Sequence, residues 1–163
     1  MISFKRWLIC LAAMLPATIQ ADEIGEVSTA FKLLGANHKI VVEAFDDPDV
    51  PGVSCFISRA KTGGIKGSLG LAEDTSDASI ACRQTGPIPD AETLLALEEG
   101  EQVFRQRTSI LFKKIQVVRF YDEIRNTLIY LSYSDKLIDG SPKNSVSAVV
   151  AMPWPEVAAA TTE

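Results

Sequence analysis

From His38 onward, apolar and polar positions change places every second residue in short runs bounded by turn-forming residues, the period of half-buried strands. HKIVVEAFDD sets Ile40, Val42 and Ala44 on one face against Val41, Glu43 and Phe45, then enters the turn DDPDVPG. VSCFISRA follows with Val53, Cys55 and Ile57 on one side and Phe56 on the other, a second strand with Cys55 on its buried face. ASIACRQ predicts a further short strand carrying Cys82. PDAETLLALEEG is the one helical pattern: Asp90 caps, Glu92 and Thr93 follow, Leu94, Leu95 and Leu97 group on one side, and Gly100 stops a helix of about three turns.

Beyond it, EQVFRQRTSILFKKIQVVRFYD and NTLIYLSYSDKLI, separated by the polar DEIRN, predict a long antiparallel hairpin. In its first arm Phe104, Thr108, Ile110 and Phe112 share one face and Arg105 and Arg107 the other, while Lys113 and Lys114 break the alternation as a bulge would. DGSPKNS makes a turn, VSAVVAMPW a last strand, and PEVAAATTE a frayed tail. No internal repeat and no low-complexity linker interrupts the series. The pattern predicts a mainly β fold, an antiparallel sheet or a sandwich or barrel-like arrangement with one or two short helices; α+β is the alternative.

The N-terminus has a different organisation. MISFKRWLICLAAMLPATIQA carries Lys5 and Arg6, an apolar stretch from Trp7 to Leu15, then Pro16 and Ala21, the order of a secretory signal peptide. The stretch falls short of the roughly 20 residues that span a bilayer as a helix. Cleavage is expected after Ala21, although Ile19 stands where a small residue is usual. The expected organisation is a signal peptide over 1–21 and a single domain over 22–163, with no later transmembrane segment. The full chain has a net charge of −5, and losing Lys5 and Arg6 makes the remainder more acidic. Nucleic acid is therefore a poor partner, since binding it rests on basic residues that neutralise phosphates.

Cys10 leaves with the signal, so Cys55 and Cys82 remain, and an even pair in an exported chain reads as a disulfide. Closing residues 55–82 is worth about 3.6 kcal/mol by chain entropy. A redox pair, a metal site or two reduced thiols are the alternatives; there is no C-x-x-C spacing and there are too few partners for a closed zinc site.

Inside that disulfide loop lies AKTGGIKGSLGLAEDTSDAS, rich first in glycine, then in acidic and hydroxyl residues. The Walker spacing fails, because Lys66 precedes Gly67 and Ser68 follows it, and Gly64, Gly67 and Gly70 do not form G-x-G-x-x-G. What remains is a loop of backbone donors open to an anion, or simply a turn-rich link. Glu73, Asp74, Asp77 and the hydroxyls of Thr75 and Ser76 are oxygen donors of the kind calcium uses, but the EF-hand pattern is missing. Asp46, Asp47 and Asp49 form a second acidic cluster, at a turn where Asp is at home for its local hydrogen bonds. The one histidine, His38, begins a strand, and no G-x-S-x-G elbow is present. Arg105, Arg107, Lys113, Lys114, Arg119 and Arg125 form a basic stripe that could meet an acidic partner, its plain reading being a solvated sheet face.

The blocks KIVVEAFDDPDV, SRAKTGGIKGSLGLAEDTSDA, RTSILFKKIQVVRFYD, YLSYSDKLIDGSPKN and MPW resemble the CreA family of small exported bacterial proteins, from about Ile24 to Trp154. The resemblance implies a periplasmic protein of a Gram-negative bacterium, and carries over no catalytic residue, ligand or cofactor. The resulting expectation is a periplasmic module that binds a small ligand or a periplasmic protein, with Gly63, Gly64, Lys66, Gly67, Glu73, Asp74, Ser76 and Asp77 as binding residues, no metal site and no cofactor. A hydrolase using Asp74 and Asp77 with Ser76 is one alternative. A structural envelope protein with an apolar patch around Trp154 is another.

Overall fold

The computed structural model describes residues 21–30, 37–61, 78–107, 114–134 and 143–155. The chain order there is β1 (Asp22–Ala30), β2 (His38–Asp46), β3 (Val53–Lys61), β4 (Ala78–Gln84), α1 (Ala91–Leu95), β5 (Glu101–Arg107), β6 (Lys114–Asp122), β7 (Thr127–Ser134) and β8 (Asn144–Val150). The strands form two antiparallel four-stranded sheets, ordered β1-β2-β3-β4 and β5-β6-β7-β8, so the mainly β expectation is met with one short helix among the described residues.

Alternation decides which faces meet. β2 buries Val41, Glu43 and Phe45, β3 buries Val53, Cys55, Ile57 and Arg59, and β7 buries Leu128, Tyr130, Ser132 and Ser134. The inner faces share one apolar core, in which Phe45 of the first sheet stacks on Phe104 of the second with ring centroids 4.3 Å apart. Such a pair contributes roughly 0.5–1.5 kcal/mol beyond its buried area.

Cys55 and Cys82 sit directly opposite in the β3–β4 register and are joined, with Cα atoms 4.0 Å apart. The N–H of Cys82 points away from β3 to the Ser147 hydroxyl, 2.8 Å away, so the pair is the close, non-hydrogen-bonded kind that a disulfide can span.

β4 and β8 run side by side in the same direction without a backbone ladder. The Ile80 N–H donates to Ser145 Oγ at 3.4 Å and the Cys82 N–H to Ser147 Oγ. The Gln84 amide completes the seam by donating to the Met152 carbonyl at 2.8 Å and accepting from the Met152 N–H at 3.0 Å. Hydroxyls at alternate positions of β8 thus satisfy donors that an edge strand would leave bare.

The two ends of the sandwich differ. Tight turns close the end holding residues 47–52, 85–87 and 123–126. There Gly52 accepts from the Thr85 N–H at 2.9 Å, and a Cβ on it would lie 2.3 Å from the Pro87 carbonyl oxygen, so only glycine fits. A buried ion network holds the same end. Asp47 accepts from the N–H groups of Asp49 (3.0 Å) and Val50 (3.1 Å), from Arg119 Nη1 at 2.5 Å, and from the Tyr130 hydroxyl at 2.7 Å. Arg119 also reaches Asp49 at 3.3 Å and Glu101 at 2.6 Å. One side chain of the β2–β3 turn therefore ties the first sheet to β6 and β7 of the second, and Arg119 carries the tie on to Glu101 of β5. Burial works against the Arg119 charge, but the bonds to and charges of Asp47 and Asp49 together outweigh it and raise the Arg119 pKa above its ordinary value. Burial and the Asp47 charge push the Tyr130 phenol far above its ordinary value.

Four expectations are corrected here. The arm 101–122 is two strands, with Glu101 paired to Arg119 and Arg107 to Lys114. The irregularity lies between Gln102 and Phe104, whereas Lys114 opens β6 and Lys113 lies outside the described residues. Arg119 is buried and ion-paired instead of solvated on the basic stripe. The helix has five residues, capped by the Asp90 carboxylate on the Thr93 N–H (2.9 Å), and ends well before Gly100, which instead takes φ 73° and donates to the Arg119 carbonyl at the start of β5.

Candidate functional site

The opposite end of the sandwich is where 31–36, 62–77, 108–113 and 135–142 join the strands, and here the inner faces stop being apolar. On the first sheet, the inward positions of β2 and β3 run from Phe45 and Cys55 to Glu43 and Ile57, then Val41 and Arg59, then Lys39 and Lys61. Glu43 and Arg59 are both buried and form a two-point pair, Nε to Oε2 at 2.7 Å and Nη2 to Oε1 at 3.0 Å. This fork-on-carboxylate geometry is the strong form of such a contact. Lys61 Nζ adds a bond to Glu43 at 3.3 Å and one to Glu23 of β1 at 3.2 Å. Lys39 pairs with Glu26 of β1. From the second sheet, Gln106 Nε2 donates to Glu43 Oε1 at 3.4 Å, so Glu43 links the sheets at this end as Asp47 does at the other.

The second sheet contributes hydroxyls. Ser132 Oγ donates to the Ser145 carbonyl at 3.4 Å. Ser134, opposite Ile115 and next along the inner face of β7, is 3 % exposed, and its hydroxyl has no hydrogen-bond partner among the described residues. A buried hydroxyl without a partner is uncommon, because leaving one unpaired costs about 1–3 kcal/mol.

The electrostatics decide what this arrangement can do. Burial disfavours the Glu43 carboxylate, but Arg59 and then Lys61 outweigh burial and hold its pKa below the ordinary value. A carboxylate fixed in its charged form by four donors is a poor proton shuttle. Three cations, Lys39, Arg59 and Lys61, pair off three carboxylates, Glu23, Glu26 and Glu43, within the first sheet. The unspent capacity of this end is hydrogen bonding, concentrated at Ser134.

The residues singled out in the sequence fall unevenly. Gly63, Gly64, Lys66, Gly67, Glu73, Asp74, Ser76 and Asp77 all lie outside the described residues, between Lys61 and Ala78, whose strands begin and end that segment at the charged end. Cys55 and Cys82 are paired as expected. Of Asp46, Asp47 and Asp49, Asp47 is buried in the network above and Asp49 joins it at its margin, while Asp46 accepts from the Ser54 hydroxyl at 2.6 Å. Among the described residues no group of three or more His, Cys, Asp or Glu is placed to hold a metal ion. Trp154 is exposed, with Val146, Val150 and Met152 also exposed before it. Sequence reasoning passed over Glu43, Arg59, Lys61, Gln106 and Ser134. The available signal was the phase of β2, where Glu43 falls between Val41 and Phe45 on the face that alternation marks as buried.

No described helix is long and apolar enough to cross a membrane. No solved structure matches the chain. Protein CreA of Escherichia coli strain K12 is 59% identical over 153 residues, covering 93% of this chain and 98% of that protein, and Protein CreA of Escherichia coli O157:H7 matches to the same extent. The model of the family described as CreA protein matches residues 24–154. With nearly the whole sandwich inside that match, the chain belongs to the CreA family.

Proposed function

We propose that this chain is an exported, periplasmic binding module that takes a small polar molecule without net charge at the charged end of the sandwich. The observation that carries the reading is the buried Ser134 hydroxyl, without a partner among the described residues, at the same end of the sandwich as the paired Glu43, Arg59 and Lys61 ions. A free hydroxyl in a pre-paid electrostatic setting favours a ligand that brings hydrogen-bonding groups and no surplus charge. The segment holding Gly63, Gly64, Lys66, Gly67, Glu73, Asp74, Ser76 and Asp77 is anchored to this end at both of its termini, which suits it to contribute backbone and side-chain polar groups to the same ligand. Export rests on the N-terminal signal pattern.

The test is native mass spectrometry of protein isolated gently from the periplasm, followed by thermal-shift screening with neutral sugars, zwitterionic amino acids and, as the contrast, dicarboxylates. A co-purified mass or a shift with a neutral or zwitterionic compound, weakened at least about tenfold by Ser134→Ala as loss of one buried hydrogen bond implies, supports the reading. Absence of any bound mass and of any shift overturns it, as does a response to dicarboxylates alone. Fractionation that leaves the protein in the cytoplasm overturns the location.

A further inference from the structure

We infer that the outer face of the first sheet is a self-association surface, and that two copies of the chain stack these faces about a two-fold axis running along β3.

Across β2, β3 and β4 the outward positions form the uncharged rows Val42, Ser58, Ser79 and Ala44, Phe56, Ala81, and Asp22 of the edge strand β1 ends the second of them. On the edge strand, Val27 lies opposite Ile40, and the two are 66 % and 41 % exposed. An antiparallel sheet with one face in a core ordinarily turns a polar face to water. Here the outer face is apolar, and its alanines, serines and Phe56 leave it flat enough for another sheet to approach at about 10 Å.

The charges at one border of this face name the occupant. The next row is Asp46, Ser54, Arg83: one carboxylate on β2 and one guanidinium on β4, each exposed, with the serine of β3 between them. Asp46 bonds to the Ser54 hydroxyl, and neither charge is ion-paired within the described residues. A two-fold axis along β3 keeps every row at its own height and exchanges β2 with β4. It therefore sets Asp46 of each copy against Arg83 of the other, twice per dimer, and Phe56 against its own equivalent. Complementary charges at the rim of an uncharged patch fix register and exclude wrong partners. The outer face of the second sheet is also apolar, around Phe120, Ile129, Leu131 and Val146, but among the described residues no row of it carries such an opposite pair to select a copy of itself.

Analytical ultracentrifugation of the purified protein over a concentration series tests this, with circular dichroism confirming that each variant is folded. The expected result is a monomer–dimer equilibrium that Phe56→Lys abolishes. Asp46→Arg and Arg83→Asp each weaken dimerisation at least about tenfold, as like charges facing across an interface do, and the double exchange restores it. Ala81→Lys replaces Phe56→Lys if the latter fails to fold. A monomer at every concentration overturns the inference, even if it binds lipid vesicles. So does a dimer indifferent to Phe56→Lys and Ala81→Lys but broken by Leu131→Lys, or a double exchange that weakens association further.

Discussion

Removing the charge of Asp47 tests the idea that a single turn residue locks the two sheets together. Its side chain has no exposed area and accepts four hydrogen bonds, two from its own turn and two from Arg119 and Tyr130 on the opposite sheet. Asp47→Asn keeps the shape and the local turn acceptor but leaves Arg119, with a side chain 2 % exposed, to Asp49 and Glu101 at its margin. Breaking a buried pair by removing one partner costs about 3–5 kcal/mol, because the remaining charge stays desolvated. Against a total of roughly 5–15 kcal/mol for a domain, that is a third or more of its stability. Arg119→Met should cost a similar amount. The double variant removes both charges, so its loss should be close to that of either single change, a coupling of at least about 2 kcal/mol. Urea unfolding followed by circular dichroism, with the disulfide intact, measures all four corners of the cycle. The cost should also persist in high salt, since buried pairs are weakly screened. A single-variant loss below about 1 kcal/mol, or strictly additive losses, would refute the claim that this network is a desolvated, cooperative tie.

Three further outcomes follow from other parts of the fold. Gly52→Ala forces the Pro87 carbonyl or the turn to move, and should lower stability by about 1–3 kcal/mol in the same unfolding assay, whereas Gly25→Ala, with open space around it, should be close to neutral. Cys55→Ser with Cys82→Ser should cost about 3.6 kcal/mol by the entropy of closing residues 55–82, read as a lower urea midpoint that matches the reduced wild type. The Tyr130 phenol keeps its proton when folded but ionises near pH 10 when unfolded. Its contribution is therefore complete below that pH and falls as pH rises above it, so wild-type stability should decline above about pH 10; Tyr130→Phe should be less stable at neutral pH and show a shallower alkaline decline.

How much of this was legible in the sequence depended on whether a partner lay nearby in the chain. β2, β3 and β4 were readable because each alternates over its whole length between a buried and an outward face, and the cysteine pair followed from the even count that remains once Cys10 leaves with the signal. The start of α1 was readable because its cap is local, while its end was not, since Leu95 turns outward and Leu94 alone joins the core. β1 left no pattern, because Ile24 and Val27 are exposed on an edge strand whose register shifts at two places. The reversal between β5 and β6 was hidden by a continuous β-rich composition, in which no polar turn separates two strands that fold back on each other.

The buried ions explain the largest misreading. Arg119 and Asp47 are 72 positions apart, and Glu43 and Gln106 are 63 apart, so neither tie can be inferred from spacing. Both are nonetheless consequences of the alternation, which places a charged residue on an inward phase and obliges the fold to bring it a partner. The two ends answer that obligation differently. At the turn end every fully buried side-chain polar atom of the Asp47–Arg119 network meets another from the chain itself, which is what a structural lock requires. At the other end the Glu43 cluster pairs its own ions and, among the described residues, the Ser134 hydroxyl is left over, so the same rule that builds the lock marks the place where those residues do not complete the set.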